Sequence, residues 1–370
     1  MQIKAAVVNE RSGPFVIETL ELCEPRPHEL IVRVVASGMC QTDLHGRDGY
    51  YANPLPGVFG HEGAGVVHAV GNAVRSFEPG DHVVMSFPWC GECANCEADM
   101  HSYCVHARGL KMNGTRADGS TLLSRNGAPV FGAFFQQSSF GTFALTQERY
   151  AVKVRKDAPL ERLGPLACSG QTGAGAVFNV MEPKPGDSFA VFGVGAVGLS
   201  ALMAAKIAGC DPIVAVDVHA HRLALARELG ATRTINHGDC DDVVAEIRSI
   251  SHGAGVRYSI DTSALPKVFR EAAEALMPRG TCVLLGSARK GNEVALEMPF
   301  LQEGRVVRGV VQGDSFPKEF IPRLVDLIMD GQFPIEKMIT FYDFADINLA
   351  AQESSAGIAI KPVLRMPEGN

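Results

Sequence analysis

A glycine-rich turn between two apolar runs constrains the fold of this 370-residue chain more than any other feature. Residues 188–192 predict a buried strand, and residues 195–208 predict a helix that begins within the sequence GVGAVG, residues 193–198. The next apolar run, residues 213–216, predicts a second strand that ends at Asp217. A strand, a glycine turn, a helix and an acidic residue closing the next strand are typical of a dinucleotide-binding unit. An ordinary glycine-rich helix start is the alternative.

Each residue of this motif has a physical role in binding a dinucleotide. Gly193 allows the tight turn, Gly195 lets the backbone approach the pyrophosphate, and Gly198 lets the helix pack on the sheet. The phosphates then lie at the positive end of the helix, and Val197 near its start is a further candidate cofactor-binding residue. Asp217 is expected to accept hydrogen bonds from the adenosine ribose. Because its charge would repel a 2′-phosphate, the motif predicts NAD rather than NADP.

The rest of the chain predicts a two-part architecture. Beyond the motif, helices and strands alternate with the spacing of a doubly wound parallel α/β sheet, at residues 220–229, 234–235, 241–249, 256–260, 267–275 and 281–285. The first 150 residues are β-rich, with short strands at 30–35, 65–70 and 81–85. After residue 310 the alternation ends, and we expect the helix at 317–330 and the strand at 359–364 to rejoin the first domain. The predicted domains are residues 1–168, residues 169–311, and a return to the first domain over 312–370.

Charge and hydropathy exclude several classes of protein. The chain has 41 acidic and 34 basic side chains, so its net charge of −7 argues against nucleic acid or an anionic membrane as a partner. Residues 188–205 carry no charge and are long enough for a membrane span, but three glycines interrupt them. We therefore interpret them as strand, turn and buried helix. The N-terminus lacks the apolar core of a signal peptide, which predicts a cytoplasmic protein.

Four of the ten cysteines are clustered, at Cys90, Cys93, Cys96 and Cys104. Their gaps of two, two and seven residues allow four thiolates to surround one tetrahedral ion, and zinc is favoured. Four protein ligands leave no open position, so this site would be structural. Reduced cysteines without metal, or His101 in place of Cys104, are the alternatives.

A third group of residues is suggestive but is not joined by spacing. His61 and Glu62 follow a glycine, Cys40 lies upstream and Cys168 lies far downstream. A single histidine more often satisfies a hydrogen bond in a core than binds metal. On spacing alone, a metal site here stays the less favoured interpretation.

Taken together, the motifs resemble those of the zinc-dependent medium-chain alcohol dehydrogenases. The order SGMCQTDLH (37–45), GHEGAG (60–65), the four-cysteine lobe and GVGAVG covers nearly the whole chain. Within that family, GPLACSGQTGAGAVFNV (164–180) and GDSFPKEFIPRLVDL (313–327) are most similar to bacterial aryl-alcohol, or benzyl-alcohol, dehydrogenases. The resemblance implies a GroES-like β-rich catalytic domain and a Rossmann cofactor domain.

The resemblance also implies the residues of the catalytic centre. Cys40, His61 and Cys168 match the catalytic zinc ligands, which leave a fourth position for water or substrate. Asp43 matches the carboxylate that orients the ligand histidine, and Glu62 matches the acidic residue beside the metal.

Other matched residues concern the proton and the cofactor. Thr42 and His45 match the pair that carries the alcohol proton to solvent. Thr172 is expected against the nicotinamide, Arg222 near the adenosine ribose and Lys361 near the pyrophosphate. Gln41 departs from the family pattern, because many members have a basic residue there against the pyrophosphate.

The implied activity is the reversible, NAD-linked oxidation of a primary benzylic alcohol to its aldehyde, with two zinc ions per chain. Tyr51, Phe134 and Phe135 match positions that line the alcohol pocket, and Phe87 or Trp89 lies close by. For any one of these rings, packing in the core is the alternative. A homodimer or homotetramer is expected.

Other activities on the same fold remain open. A dehydrogenase of allylic terpene alcohols would use the same pocket. A formaldehyde dehydrogenase acting on a glutathione adduct would need cationic residues at the pocket mouth. A quinone reductase or a catalytically idle structural protein would generally lack the three ligands that this chain keeps.

Overall fold

The computed structural model describes residues 1–367, which divide into two units. The first unit comprises Met1–Cys168, Phe316–Met329 and the chain from Ile339 onward, and the second comprises Ser169–Ser315 and Asp330–Met338. These bounds differ from the expected domains in two places. The chain returns to the first unit at Phe316 rather than at residue 312, and Asp330–Met338 belongs to the second unit.

One sheet of the first unit contains five strands, and strands and helices are numbered here in chain order. Its spatial order is β4 (Gly57–Val58), β1 (Gln2–Val8), β2 (Phe15–Leu22), β7 (Leu123–Arg125) and β8 (Ala128–Val130). Strands β1 and β2 form an antiparallel hairpin in which Val8 pairs with Phe15. In the second half of β2 the apolar Leu20 and Leu22 are buried, whereas the polar Thr19 and Glu21 are exposed.

A second sheet of this unit carries most of the predicted site residues. Its order is β10 (Ala151–Lys153), β6 (His82–Met85), β5 (Glu62–Val70), β3 (Glu29–Gly38), β18 (Lys361–Arg365) and β17 (Ile339–Asp343), and β9 (Phe143–Gln147) also pairs with β3. Strand β18 is antiparallel to β3, with Val363 opposite Gly38. The C-terminal strand therefore rejoins the first unit, beside the strand that leads to Cys40.

The helices of the first unit are short at the start of the chain and longer near its end. They are α1 (Gln41–Arg47), α2 (Ala94–Glu97), α3 (Ala107–Met112), α10 (Pro317–Met329) and α11 (Ile347–Ser355). Buried aliphatic and aromatic side chains from the strands and from α11 form one hydrophobic core in this unit.

The second unit is built on a six-stranded parallel sheet. Its order is β13 (Arg233–Asn236), β12 (Ile213–Asp217), β11 (Phe189–Phe192), β14 (Val256–Asp261), β15 (Leu276–Leu284) and β16 (Val306–Gly309). The chain moves from β11 outward to β13 and then returns to the other side of β11 at β14. This reversal creates a crevice at the carboxyl ends of the central strands, where doubly wound sheets bind ligands.

Six helices accompany this sheet in the described residues: α4 (Ser169–Gly175), α5 (Ala196–Ile207), α6 (Ala220–Leu229), α7 (Val243–Ile250), α8 (Pro266–Glu274) and α9 (Met298–Gln302). The predicted doubly wound parallel sheet is confirmed. The alternation in the sequence did not reveal β16. Three of its four residues are exposed at the sheet edge, so it shows neither alternation nor a continuous apolar run.

The uncharged stretch at residues 188–205 consists of β11, the glycine turn and most of α5. Every residue from Gly198 to Ala205 is buried, which explains why the helix is apolar on all sides. In the described part of the chain, no helix combines the length and apolar character that a bilayer crossing requires.

Candidate active site

Four cysteine thiols meet in one lobe of the first unit. Cys93 precedes α2, Cys96 lies within it, and Cys90 and Cys104 lie on the loops before and after it. The Sγ of Cys96 lies 3.8 Å from that of Cys90 and 3.5 Å from that of Cys93, and all four sulfurs lie within 4.8 Å of one another. A tetrahedral zinc ion with Zn–S bonds of about 2.3 Å sets its sulfurs about 3.8 Å apart. The cluster has the spacing that one zinc ion requires.

Backbone N–H groups favour thiolates in this lobe. The N–H of Val105 is the main reason that the pKa of Cys93 is lowered to about 6. The N–H of Cys90 points at the Sγ of Cys104 over 3.3 Å. Burial instead raises the pKa of Cys96 to about 12. A metal cation that bound Cys96 would therefore have to displace the proton of its thiol.

His101, the alternative fourth ligand, is placed elsewhere. Its ring lies 4.9 Å from the ring of Trp89 and stacks on Phe316 at 5.2 Å. Cys104 therefore completes the cluster. Trp89 packs around this lobe, against His101 and Tyr150.

A second cluster joins residues from distant parts of the sequence. Cys40 caps the N-terminus of α1, His61 and Glu62 lie where β5 begins, and Cys168 ends the first segment of the unit. One ligand atom from each of these four residues lies within 4.8 Å of the others. The Nε2 of His61 is buried and has no hydrogen-bond partner in residues 1–367. A buried imidazole nitrogen beside two thiols fits a metal ion.

Asp43 holds this cluster in place. Its Oδ1 accepts a hydrogen bond from the backbone N–H of Gly60 at 3.0 Å and lies 2.8 Å from Nδ1 of His61. Its Oδ2 accepts from the backbone N–H of Cys40 at 2.9 Å. Burial opposes a charge on His61, but Asp43 outweighs it and raises the pKa of His61 to about 10. The carboxylate therefore fixes the ring so that Nε2 faces the thiols.

The three candidate ligands suit zinc in charge and number. A hydrogen bond from the Cys168 thiol holds the pKa of Cys40 well below its usual range. Two thiolates would cancel the charge of a divalent cation, and three protein ligands leave one coordination position for another group.

Lys361 forms a buried ion pair that the sequence did not reveal. Its Nζ lies 2.8 Å from both carboxylate oxygens of Glu62, and the lysine is 2% exposed. Strand β18 lies next to β3, and β5 pairs with β3 on the other side, so the sheet brings the two charges together. Burial disfavours the charged lysine, but Glu62 outweighs burial and raises its pKa. In this structure Lys361 is the counter-ion of Glu62, and its contact with the pyrophosphate stays a prediction.

The predicted proton carriers lie on one helix. The Oγ1 of Thr42 lies 3.7 Å from the Sγ of Cys40. His45 is three residues further along α1, so it is on the same helix face as Thr42. The His45 ring stacks on Tyr50 at 4.5 Å and meets the edge of Tyr51 at 6.1 Å. Tyr51 is therefore a neighbour of His45 in this structure.

The other two predicted substrate residues flank His61. The ring of Phe135 stacks on His61 with 4.5 Å between centroids, and Phe134 meets the His61 ring edge-on at 5.8 Å. Phe134 also packs on Phe59 at 5.1 Å and is 2% exposed, so it contributes mainly to the core. Phe135 has a φ of +50°, a conformation that is rare for a residue with a bulky side chain.

Gln137, which the sequence did not single out, anchors this strained segment. Its Nε2 donates to the carbonyl oxygens of His61 at 3.1 Å and Met85 at 3.0 Å. Its Oε1 accepts from the N–H of Gly63 at 3.1 Å. Two consecutive glutamines and two serines between phenylalanines were the available signal, because buried polar side chains need partners.

Lys111 is a second residue that the sequence did not reveal. It lies on α3, is 9% exposed, and places its Nζ 5.6 Å from the centroid of the Phe135 ring. No spacing rule predicts that a lysine seven residues after a clustered cysteine is buried.

In the second unit, the glycine turn leaves a cradle at the start of α5. Gly193 has a φ of +87°, and a Cβ on Gly198 would lie 2.0 Å from the carbonyl oxygen of Gly193. A Cβ on Gly195 would meet nothing within 4 Å, so open space adjoins the first N–H groups of the helix. An anionic phosphate fits such a place.

Asp217 and the other predicted cofactor residues occupy the same unit. The Asp217 carboxylate accepts hydrogen bonds from the N–H of Val194 at 2.8 Å and of His219 at 2.9 Å, which tie it to the glycine turn. Thr172 on α4 is buried and donates to Oε1 of Gln312 at 3.4 Å. Arg222 lies in the first turn of α6, shortly after Asp217. Val197 is half-buried in α5, and the cofactor contacts of all these residues stay predictions.

The fold and both clusters agree with comparison to known families. Residues 26–156 match the alcohol dehydrogenase GroES-like domain, and residues 196–330 match the zinc-binding dehydrogenase family. The chain belongs to the zinc-type medium-chain alcohol dehydrogenases, with a GroES-like and a Rossmann part, and membership implies zinc and NAD as cofactors.

Individual relatives are similar along almost the whole chain. A geraniol dehydrogenase from Castellaniella defragrans is 43% identical over 98% of this chain and 97% of its own length. The structure of benzyl alcohol dehydrogenase from Acinetobacter calcoaceticus is 41% identical with a TM-score of 0.95, covering 99% of this chain and 100% of the other. An alcohol dehydrogenase zinc-binding domain protein from Burkholderia ambifaria is 48% identical with a TM-score of 0.97, covering 100% of both chains.

Proposed function

We propose that this alcohol dehydrogenase oxidises primary benzylic alcohols to aldehydes reversibly, with NAD as the hydride acceptor. The observation that carries this proposal is the ring of Phe135, which stacks on the candidate ligand His61 at 4.5 Å. It sets a flat apolar wall directly beside the metal site. The similarity to a benzyl alcohol dehydrogenase structure supports the same substrate class.

We also propose two zinc ions per chain with separate tasks. The four-cysteine cluster would hold a structural zinc, because its ligands fill a tetrahedron. Cys40, His61 and Cys168 would hold the catalytic zinc. When bound, zinc supplies a Lewis acid that lowers the pKa of the alcohol, and NAD⁺ accepts the hydride.

The chain's own residues would orient the groups and move the proton. Asp43 keeps Nε2 of His61 directed at the thiols, as the hydrogen bonds at 2.8–3.0 Å indicate. The hydroxyl of Thr42 would accept the alcohol proton beside Cys40, and His45 would pass it on along α1. Lys361 would keep Glu62 ionised without adding net charge next to the thiolates.

The glycine turn and Asp217 support NAD as the cofactor. The N-terminus of α5 offers its N–H groups to the pyrophosphate, and the carboxylate of Asp217 would reject a 2′-phosphate by repulsion.

The aromatic wall predicts a large preference over short alcohols. An aromatic pair adds about 0.5–1.5 kcal/mol beyond burial, and each buried CH₂ adds about 0.8 kcal/mol. A benzylic ring should therefore exceed ethanol in kcat/KM by a factor on the order of a thousand. An allylic terpene alcohol is the second candidate substrate, because a geraniol dehydrogenase is 43% identical to this chain.

The deciding experiment is kcat/KM with NAD⁺ for benzyl alcohol, geraniol and ethanol. Phe135→Leu should lower the value for benzyl alcohol about two- to tenfold and leave the zinc content unchanged, since it removes about 0.5–1.5 kcal/mol of ring contact. Phe143→Leu is the matched control, because Phe143 also packs on a histidine, His68, at 5.1 Å. Equal efficiency with ethanol and benzyl alcohol would refute the aromatic substrate, and a clear advantage for geraniol would replace it.

We propose two further properties of the protein. The similarity to the family favours a homodimer or homotetramer, which sedimentation velocity would establish. Six cysteines occupy the two clusters, and a reducing compartment such as the cytoplasm would preserve their thiolates.

A further inference from the structure

Lys111 is a buried cation beside the candidate substrate wall. It lies on α3 and is 9% exposed. Its Nζ lies 5.5 Å from the ring centroid of Phe87 and 5.6 Å from that of Phe135. Because Phe135 stacks on His61, a single phenyl ring separates this ammonium from a candidate metal ligand.

The ammonium of Lys111 differs from the other buried cations of the first unit. Arg116 is paired with Glu29 at 2.6 and 2.8 Å, and Lys361 is paired with Glu62 at 2.8 Å. Within residues 1–367, by contrast, Nζ of Lys111 has no hydrogen-bond acceptor and no ion-pair partner. Its contacts are the faces of two phenyl rings, which attract a cation but accept no strong hydrogen bond.

A cation in this position is unfavourable unless something completes its environment. Burial lowers the pKa of the Lys111 ammonium, and a methionine of similar length would fill the space without that effect. A lysine that keeps three N–H donors in an aromatic pocket therefore indicates an acceptor that enters from outside the chain. The negative charges of Cys168 and Cys104 act in the opposite direction to burial and favour the charged lysine.

We propose that Lys111 recognises an oxygen substituent on the ring of an aromatic alcohol, at the end of the molecule away from its carbinol group. A methoxy, hydroxy or carboxylate oxygen would accept a hydrogen bond from Nζ while the ring lies against Phe135. This inference rests on the proposed oxidation of benzylic alcohols and defines which of them the pocket selects. An alcohol whose ring carries only hydrocarbon substituents would offer no acceptor to the three N–H groups of Lys111.

The test compares substrates that differ only at the ring substituent. For 4-methoxybenzyl alcohol and 4-(hydroxymethyl)benzoate, kcat/KM is divided by the value for 4-methylbenzyl alcohol. At least one of these ratios should exceed about tenfold in the native zinc-loaded enzyme, because hydrogen bonds to charged groups are among the stronger ones. Lys111→Met should reduce the ratio towards one, and Lys111→Arg should retain part of it. Lys318→Met, at an exposed lysine, is the control.

Binding without turnover provides an independent measurement. Trp89 is the only tryptophan, and its ring lies 5.8 Å from that of Phe87. Its fluorescence should report titration of the zinc-loaded enzyme with the favoured substrate. The apparent Kd should rise about tenfold or more in Lys111→Met and stay unchanged for 4-methylbenzyl alcohol.

The outcomes separate this inference from the proposed function. Oxidation of benzylic alcohols with ratios that Lys111→Met does not change would refute the role of Lys111 alone. Oxidation of geraniol with none of the benzylic alcohols would refute both. If Lys111→Met impaired only the oxidation of the adduct of glutathione and formaldehyde, the partner of Lys111 would be a carboxylate of the glutathione peptide. The proposal of an aromatic alcohol would then be wrong.

Discussion

Replacing Asp43 with asparagine tests whether one carboxylate organises the catalytic cluster. The side chain is fully buried, and its two oxygens serve three groups: the N–H of Cys40, the N–H of Gly60 and Nδ1 of His61. Asparagine has almost the same shape but only one acceptor oxygen. In either orientation of the amide, its NH₂ group faces at least one N–H, so a buried donor loses its partner.

The size of the effect follows from these contacts. An unsatisfied buried donor costs about 1–3 kcal/mol, so the free energy of unfolding should fall by that amount. Loss of the group that orients a ligand histidine typically weakens metal binding about 10- to 100-fold. If the amide NH₂ faces Nδ1, the imidazole must carry its proton on Nε2, where it blocks the metal. Only the second cluster should be affected, because the four-cysteine lobe has no contact with Asp43.

The assay measures zinc retained by each variant against a graded series of chelator concentrations. Asp43→Asn should release one zinc ion at a chelator concentration about 10- to 100-fold lower than the native protein requires, and it should retain the other zinc ion. Asp48→Asn is the matched control, since Asp48 ends the same helix but pairs with Arg47 at the surface. Urea unfolding of both variants gives the stability difference. If Asp43→Asn matched the native protein in zinc affinity and in stability, the carboxylate would not be the organising group.

Three further predictions concern separate parts of the chain. Cys93→Ser should remove one zinc ion and lower the melting temperature, because a structural zinc contributes folding free energy, whereas Cys240→Ser should change neither. Gly198→Ala should raise KM for NAD⁺ about tenfold or more, since its Cβ would lie 2.0 Å from a carbonyl oxygen, while Gly309→Ala meets open space. His45→Gln should slow alcohol oxidation most below neutral pH, where proton removal is hardest, with zinc content unchanged.

Each of these has a contrary outcome. Unchanged metal content in Cys93→Ser would show that the four-cysteine cluster does not hold a structural zinc. Normal cofactor kinetics in Gly198→Ala would show that the turn tolerates a side chain. A lost metal ion or an unaltered pH profile in His45→Gln would exclude the proton relay.

The sequence predicted those parts of the molecule that depend on local chemistry. The glycine turn, the alternating strands and helices of the second unit and the four-cysteine lobe are all encoded within short segments. No local pattern in the sequence connects Cys40, His61 and Cys168. Only the resemblance to a family predicted that they lie together, as they do in the structure. The ion pair of Lys361 with Glu62 was not predicted, because sequence order does not show that β18 lies beside β3, one strand away from Glu62.

Residues that act through buried contacts were the hardest to predict. Gln137 and Lys111 belong to residue types that are usually exposed, so their burial depends on how α3 and the segment after Phe134 pack. Edge strand β16 was missed for the opposite reason, because its exposed positions carry no periodic pattern.

The positions of the two clusters along the chain impose an order on their assembly during synthesis. All four thiols of the cysteine lobe lie between residues 90 and 104, so a nascent chain would complete the proposed structural zinc site early. The second cluster forms only after Cys168 has been synthesised. Glu62 lacks its counter-ion until Lys361 has left the ribosome and β18 has added to the sheet. A chain that stopped before Lys361 would therefore leave the buried carboxylate of Glu62 unpaired beside the second cluster.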